Sequence, residues 1–293
     1  GNPVSQDPPS STPSSVSYSG NVVKGPLNNA LVFLDLNSDG IKDSDEPSVR
    51  TGSDGSYTLT TSNSSFTIVA ISDDTTIDTS SGTVMSGITL KAPSGATVVT
   101  PTTTLMKEGD LTAAQVATVL GLPSGVDPTS FNPYASGVDA TKALAVEKVS
   151  QQLMSVVNSF AASAEGAGAS QANAFTASLK SVVEVVKSKA TASGTLDLTN
   201  STDLDLIKTQ ASTEMASVSG ISKTAFDALA ADTTTAIKNV NAKIGSVTDL
   251  TSDAAKNTFS TVSALQYQVK TATTAEQASA GSGSASITCK TSA

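Results

Sequence analysis

Between Asp35 and Glu46 the chain reads Asp-Leu-Asn-Ser-Asp-Gly-Ile-Lys-Asp-Ser-Asp-Glu, its densest concentration of oxygen ligands. A hard divalent cation takes about six to eight oxygens, which a loop of this length supplies from its first, third, fifth, seventh, ninth and twelfth residues. Those places are held by Asp35, Asn37, Asp39, the backbone carbonyl of Ile41, Asp43 acting through a water, and Glu46, with Gly40 at the sharp turn. Five carboxylates fall within these residues, and they repel one another unless a cation neutralises them. The spacing therefore points to bound calcium. The alternative is a solvated acidic turn, because Asp, Asn, Ser and Gly are also the residues of any exposed loop.

Other reactive chemistry is scarce. The chain has no His and a single, nearly terminal Cys, Cys289, so the usual general base, zinc ligands and thiol nucleophile are missing. No nucleophile elbow, phosphate-binding Gly-rich loop or dinucleotide fingerprint occurs. Asp73, Asp74 and Asp78 offer carboxylates of the type that hydrolyse glycosides, but there is no Trp to stack on a sugar ring. A solvated loop or a second, weaker ion site explains those three aspartates more simply, and the chain reads as a non-enzyme.

Charge narrows the partners further. The formal net charge is -9 and Arg50 is the only arginine, which argues against nucleic acid and against anionic membrane surfaces. Through position 100 there are ten acidic and four basic residues, and sixteen and thirteen beyond it. A calcium ion would thus relieve crowding where it is worst, in the N-terminal part. With one cysteine no internal disulfide forms, and no apolar run approaches a membrane span. The chain opens at Gly1 without Met, as a processed chain or fragment does. Millimolar external calcium fills a loop of this type where cytosolic calcium often does not, so the expected location is extracellular.

The elements that must position the loop read as follows. Residues 1-15 hold four prolines among small polar residues and are expected to form an extended arm or linker. From 16 to 100 short β-branched or apolar runs alternate with turn signals: Val22-Val23, Ala30 to Leu34, Tyr57 to Leu59, Phe66 to Ile71, Ile88 to Leu90 and Val98-Val99. Such spacing suggests a small antiparallel sandwich. The acidic loop follows the Leu34 strand end directly and is followed by Pro47, so it lacks the flanking helices of an EF-hand.

Residues 101-139 form a transition. Pro101 to Met106 can open a short helix; Thr112 and Gln115 have capping-box spacing ahead of Val116, Val119 and Leu120, with Gly121 as a stop. Pro123, Pro128 and Pro133 make the next stretch irregular. From 140 to 280 the apolar period becomes helical, with stripes at Val146 to Phe160, Ala172 to Val186, Leu204 to Met215, Phe226 to Ile244 and Ala255 to Ala272. Narrow stripes flanked by Ala, Ser and Thr predict a slender antiparallel bundle of five helices. The tail, 281-293, reads as a flexible linker ending in a short β-prone segment, Ser286 to Lys290, which either adds a strand to the sandwich of its own or another chain or frays.

The run Val23-Lys24-Gly25-Pro26-Leu27-Asn28-Asn29-Ala30-Leu31-Val32-Phe33-Leu34-Asp35, the acidic loop, and then Thr51 to Leu59 with its Asp54-Gly55-Ser56-Tyr57 turn together resemble the calcium-binding, immunoglobulin-like B repeats of bacterial surface adhesins. The wider Cna-B and carboxypeptidase-regulatory-like sandwiches share the Asp-Gly-x-Tyr turn. The resemblance covers about residues 16-100 and implies a rigid extracellular spacer whose loop binds calcium. The Thr100-Pro101-Thr102-Thr103-Thr104 run with Leu120-Gly121-Leu122-Pro123 and Gly125-Val126-Asp127 further resembles large secreted surface proteins of aquatic bacteria.

The expectation is therefore an α+β multidomain chain: an immunoglobulin-like β-sandwich with an EF-hand-like calcium loop, then a helical bundle. Its expected role is that of a calcium-stabilised structural subunit of a bacterial surface assembly such as a filament, surface layer or adhesin stalk. It would form a homo-oligomer or polymer through its terminal arms. A calcium-dependent glycan- or protein-binding adhesion module, an accessory region of a secreted enzyme, and a virion decoration protein are the alternatives.

Overall fold

The computed structural model describes residues 14-287. Most of the N-terminal arm, the end of the tail and Cys289 lie outside the described residues. The described residues form a mixed α/β fold, with small, largely antiparallel sheets up to position 100 and seven helices after them. No closed barrel forms among the described residues.

Strand β1 (Val16–Val22) runs antiparallel to β5 (Ser56–Thr61), pairing Tyr18 with Leu59, and parallel to β10 (Val98–Val99). A second sheet joins β2 (Leu27–Asn28), β7 (Ile77–Asp78) and β8 (Thr83–Val84). The third has the order β4-β3-β6-β9, with β4 at Ser48–Arg50, β3 at Leu31–Asp35, β6 at Thr67–Ile71 and β9 at Thr89–Pro93. Its two central strands are apolar and buried along nearly their whole length, as strands covered on both faces must be. In β5 burial alternates instead, with Tyr57, Leu59 and Thr61 inward, the period of two that marks a half-covered strand. Every β-prone run read between residues 16 and 100 lies in or beside one of these strands. The two-residue strands β7 and β8, and β4 after Pro47, carry too little apolar pattern to be read from sequence.

The helices are α1 (Pro101–Gly109), α2 (Ala113–Leu120), α3 (Ala140–Gly166), α4 (Gln171–Thr191), α5 (Ser201–Met215), α6 (Lys223–Gly245) and α7 (Asp253–Ala278). Each is capped by a residue whose side-chain oxygen accepts the amide three positions on: Thr100, Thr112, Asp139, Ser170, Asn200, Ser222 and Ser252. That satisfies a donor the first turn leaves free. The Thr112–Gln115 capping box forms as its spacing predicts, and Gly121 stops α2 in the left-handed conformation. The Pro-rich segment that follows is irregular.

Helix α3 departs from the narrow-stripe expectation. Nineteen of its 27 residues are buried, among them Glu147, Ser150, Gln151, Ser155, Asn158, Ser159 and Ser163. It packs on α1, α4, α6 and α7, so it is wrapped by neighbours, and its small polar residues permit their close approach. Hydrophobic packing is continuous from Val22, through Leu105 and Phe160, to Val269. The described part of the tail folds back on α7: Ala285 N–H donates to Glu276 Oε1 at 2.9 Å, and Ile287 rests against the core. Ser286 and Ile287 form no strand; the rest of the β-prone segment lies outside the described residues.

Candidate metal centre

The acidic loop is the connection of a β-hairpin. Strands β3 and β4 pair with Phe33 opposite Ser48, and Leu34 N–H donates to the Pro47 carbonyl at 3.1 Å. That closure brings the two ends of the loop together and sets Asp35 beside Glu46. Inside the loop the backbone turns through two residues of positive φ, Ser38 (58°) and Gly40 (75°), which reverses the chain in a few residues.

Of the sequence-expected ligands, the structure converges three carboxylates. Ligand oxygens of Asp35, Asp39 and Glu46 all lie within 4.8 Å of one another. Asp35 and Glu46 are buried, at 2% and 4% exposure, while Asp39 faces solvent. Backbone amides fix three of their four buried oxygens: Gly40 N–H donates to Asp35 Oδ2 at 2.7 Å, Leu36 N–H to Glu46 Oε2 at 2.6 Å and Asp43 N–H to Glu46 Oε1 at 2.7 Å. Asp35 Oδ1 is buried with no partner. A buried carboxylate oxygen without a donor is costly, and a cation at the centre of the cluster would satisfy it.

The other expected ligands line the same loop. Asn37 Nδ2 donates to Asp43 Oδ2 at 2.8 Å and to Asp39 Oδ2 at 3.2 Å, standing as a donor between two carboxylates. Ile41 N–H donates to Asp39 Oδ1 at 2.9 Å, and its side chain points to solvent. The donor set is oxygen throughout, which suits calcium or magnesium and excludes a soft-metal site. A groove of about 610 Å³ opens beside the loop, lined in part by Gly40, Lys91, Glu108, Phe175 and Lys180.

The second ion site considered at Asp73, Asp74 and Asp78 does not assemble. Asp73 pairs with Arg50 at 2.6 Å; its carboxyl is lowered to about 2, chiefly by the Thr75 hydroxyl and then by Arg50. Asp78 turns inward instead, fully buried, where Lys24 Nζ donates to its Oδ2 at 2.8 Å. Each of these two carboxylates therefore has a cation of its own, and neither is left for a shared metal.

Asp78 belongs to a buried polar cluster that the sequence does not disclose. Ser80 donates from its amide (2.9 Å) and its hydroxyl (2.6 Å) to Asp78 Oδ1. From α3, Glu147 Oε1 accepts from Gly25 N–H at 2.8 Å and from Gln151 Nε2 at 2.9 Å. Glu147 Oε2, Gln151 Oε1 and the Tyr134 hydroxyl are buried without partners. Burial raises the Glu147 carboxyl to about 7, the Gly25 bond and Lys24 opposing and Asp78 adding to the shift; burial also pushes the Tyr134 phenol up. The one local signal is a Glu and a Gln a helical turn apart on α3.

No helix of the described residues is long and apolar enough to cross a membrane. In comparisons with known proteins, no protein-family model, no curated protein and no solved structure matches the chain.

Proposed function

We propose that this chain is an extracellular, calcium-stabilised structural subunit of a bacterial surface assembly, in which residues 16-100 act as an immunoglobulin-like sandwich and residues 140-280 as a helical bundle mounted on it. The observation that carries the reading is the loop cluster. Asp35, Asp39 and Glu46 converge, and the buried Asp35 Oδ1 lacks any partner. Calcium would act there as a structural staple, closing the β3–β4 hairpin by joining carboxylates from its two ends. The acidic balance, the absence of His and Trp and the Ser/Thr/Ala-rich economy of the chain support a scaffold over an enzyme. Polymerisation through the terminal arms, residues 1-15 and 281-293, completes the proposal.

Negative-stain electron microscopy of the purified chain, with calcium and with a chelator, tests it. Ordered filaments or sheets that dissolve on chelation are the expected result. Dispersed monomers in both conditions would remove the assembly role.

A second reading, a calcium-dependent adhesion module, is favoured by the groove at the loop, because Gly40 lies on its wall. It predicts a monomer whose affinity for a glycan or protein ligand is lost on chelation.

A further inference from the structure

A second hollow lies between the chain that joins β8 to β9 and the helices α3, α4 and α7. Its volume is about 270 Å³, just under the usual range for small-molecule pockets, about 300–1,000 Å³. No residue of the metal loop lines it. Three carboxamide side chains converge there from three helices: Asn158 on α3, Gln171 on α4 and Gln266 on α7. Asn158 is 7% exposed, and Asn158 Nδ2 and Gln266 Nε2 are buried with no hydrogen-bond partner. Buried donors left in that state are uncommon and costly. A half-turn of either carboxamide exchanges its oxygen and nitrogen, so each offers a donor or an acceptor to an occupant of the hollow. Gln171 lies against the facing chain: Gly87 has positive φ (76°), and a side chain there would overlap the Gln171 carboxamide.

The same hollow has an apolar face. Six large apolar side chains are exposed among the described residues, and two of them, Val84 at 56% and Tyr267 at 75%, line this one hollow. Its two charged groups offset each other, Lys270 Nζ standing 3.6 Å from Glu165 Oε1. The lining thus combines amide donors and acceptors, a free aromatic ring and no net charge. An ionic ligand finds no unopposed partner there, and a purely apolar one would leave the amides unsatisfied.

We propose that this hollow is a carbohydrate site that takes one neutral hexose ring, as at the end of a glycan chain. A pyranose carries hydroxyls around its edge, each both donor and acceptor, and C–H groups on its faces. The hydroxyls match the carboxamides of Asn158, Gln171 and Gln266. The C–H face matches the exposed ring of Tyr267, which supplies the stacking surface in a chain without Trp. The site uses no ligand of the metal loop, so the sugar binds with calcium or without it. The hollow shares Gly87, Gln171 and Phe175 with the groove beside that loop. A longer oligosaccharide seated at Tyr267 therefore has a continuous path towards Gly40.

Amide NMR of the isotopically labelled full chain, titrated in turn with the methyl glycosides of glucose, galactose, mannose and N-acetylglucosamine, tests the site. At least one glycoside should shift the side-chain amide signals of Asn158 and Gln266 and the backbone signals of 84-88, equally with calcium and with a chelator. Tyr267→Ala and, separately, Gln266→Ala should keep the circular dichroism of the wild type while affinity for that glycoside falls about fivefold or more. No shift with any of the glycosides, or shifts confined to other residues, would overturn the proposal. Shifts at residues 35-46 that vanish on chelation would assign sugar binding to the calcium loop instead. Stronger binding of methyl glucuronide, or of the peptide mimic N-acetylglycine methylamide, at the same signals would reject a neutral sugar in favour of an anion or a peptide. Wild-type affinity in both variants would reject the hollow as the site.

Discussion

The Gly25 amide donates to Glu147 Oε1 at 2.8 Å across 122 positions of sequence, so the first turn of the β-rich part is fastened to the most buried helix. A carboxyl in that position makes stability depend on pH. Burial raises the Glu147 carboxyl to about 7, against 4.5 for an ordinary Glu. Between those values the folded chain keeps a proton that the unfolded chain has released. Its contribution is therefore fully present below the unfolded value, falls as pH rises towards about 7 and levels off above it. The shift corresponds to about 3 kcal/mol. The groups facing it are Lys24, Asp78 and Tyr134. Urea unfolding at about pH 5 and about pH 8, with chelator present to silence the loop, should show the lower stability at the higher pH. Glu147→Gln should flatten that difference; an unaltered slope would place its origin elsewhere.

Calcium should raise stability through the loop. Free calcium at about a hundred times its Kd adds about 2.7 kcal/mol to the unfolding free energy. Asp35→Asn preserves an acceptor for Gly40 N–H but removes the charge, and Asp39→Ala removes a carboxylate from the solvent side. Both should abolish most of the calcium-dependent rise in Tm and weaken binding in calorimetry. Wild-type calcium affinity in both variants would mean that the cluster is not the site.

Gly25→Ala should destabilise by about 3 kcal/mol, combining a left-handed backbone penalty with overpacking. Its added carbon would meet Asp78 and Ser80. The urea midpoint measures the cost, and a change below about 1 kcal/mol would show that the turn can relax.

Phe160→Ala should cost about 3–5 kcal/mol. Phe160 is 1% exposed and lies 6.3 Å, centroid to centroid, from Phe226. Because the hydrophobic core is continuous, strands and helices should melt in one transition. Far-ultraviolet circular dichroism would report the helices, and calcium binding would report the hairpin loop. Two separated transitions would contradict a shared core.

Local chemistry made much of this molecule legible before its coordinates. Thr112 with Gln115, the glycine stop at 121 and the helical periods beyond Asp139 are short-range signals, read within one or two turns, and the structure places helices at each. The strand runs at Leu31 to Leu34 and Thr67 to Ile71 were legible because strands covered on both faces are continuously apolar. The convergence of Asp35, Asp39 and Glu46 was legible because the residues of one short loop between paired strands are close in space as well as in sequence. Short strands such as Ile77–Asp78 were not, because one Ile beside one Asp forms neither an apolar run nor a period.

The sequence by itself determined the helical stretches, the main strands and the grouping of acidic residues in the loop, since each depends on residues that are neighbours along the chain. Tertiary structure alone decided that Asp78 faces Lys24 instead of a second ion, that Glu147 reaches Gly25, and that the polar residues of α3 are enclosed. Those relations join positions many tens of residues apart. A charged or small polar side chain has the same local signature whether solvent or a buried partner satisfies it, and only the packed fold selects between them.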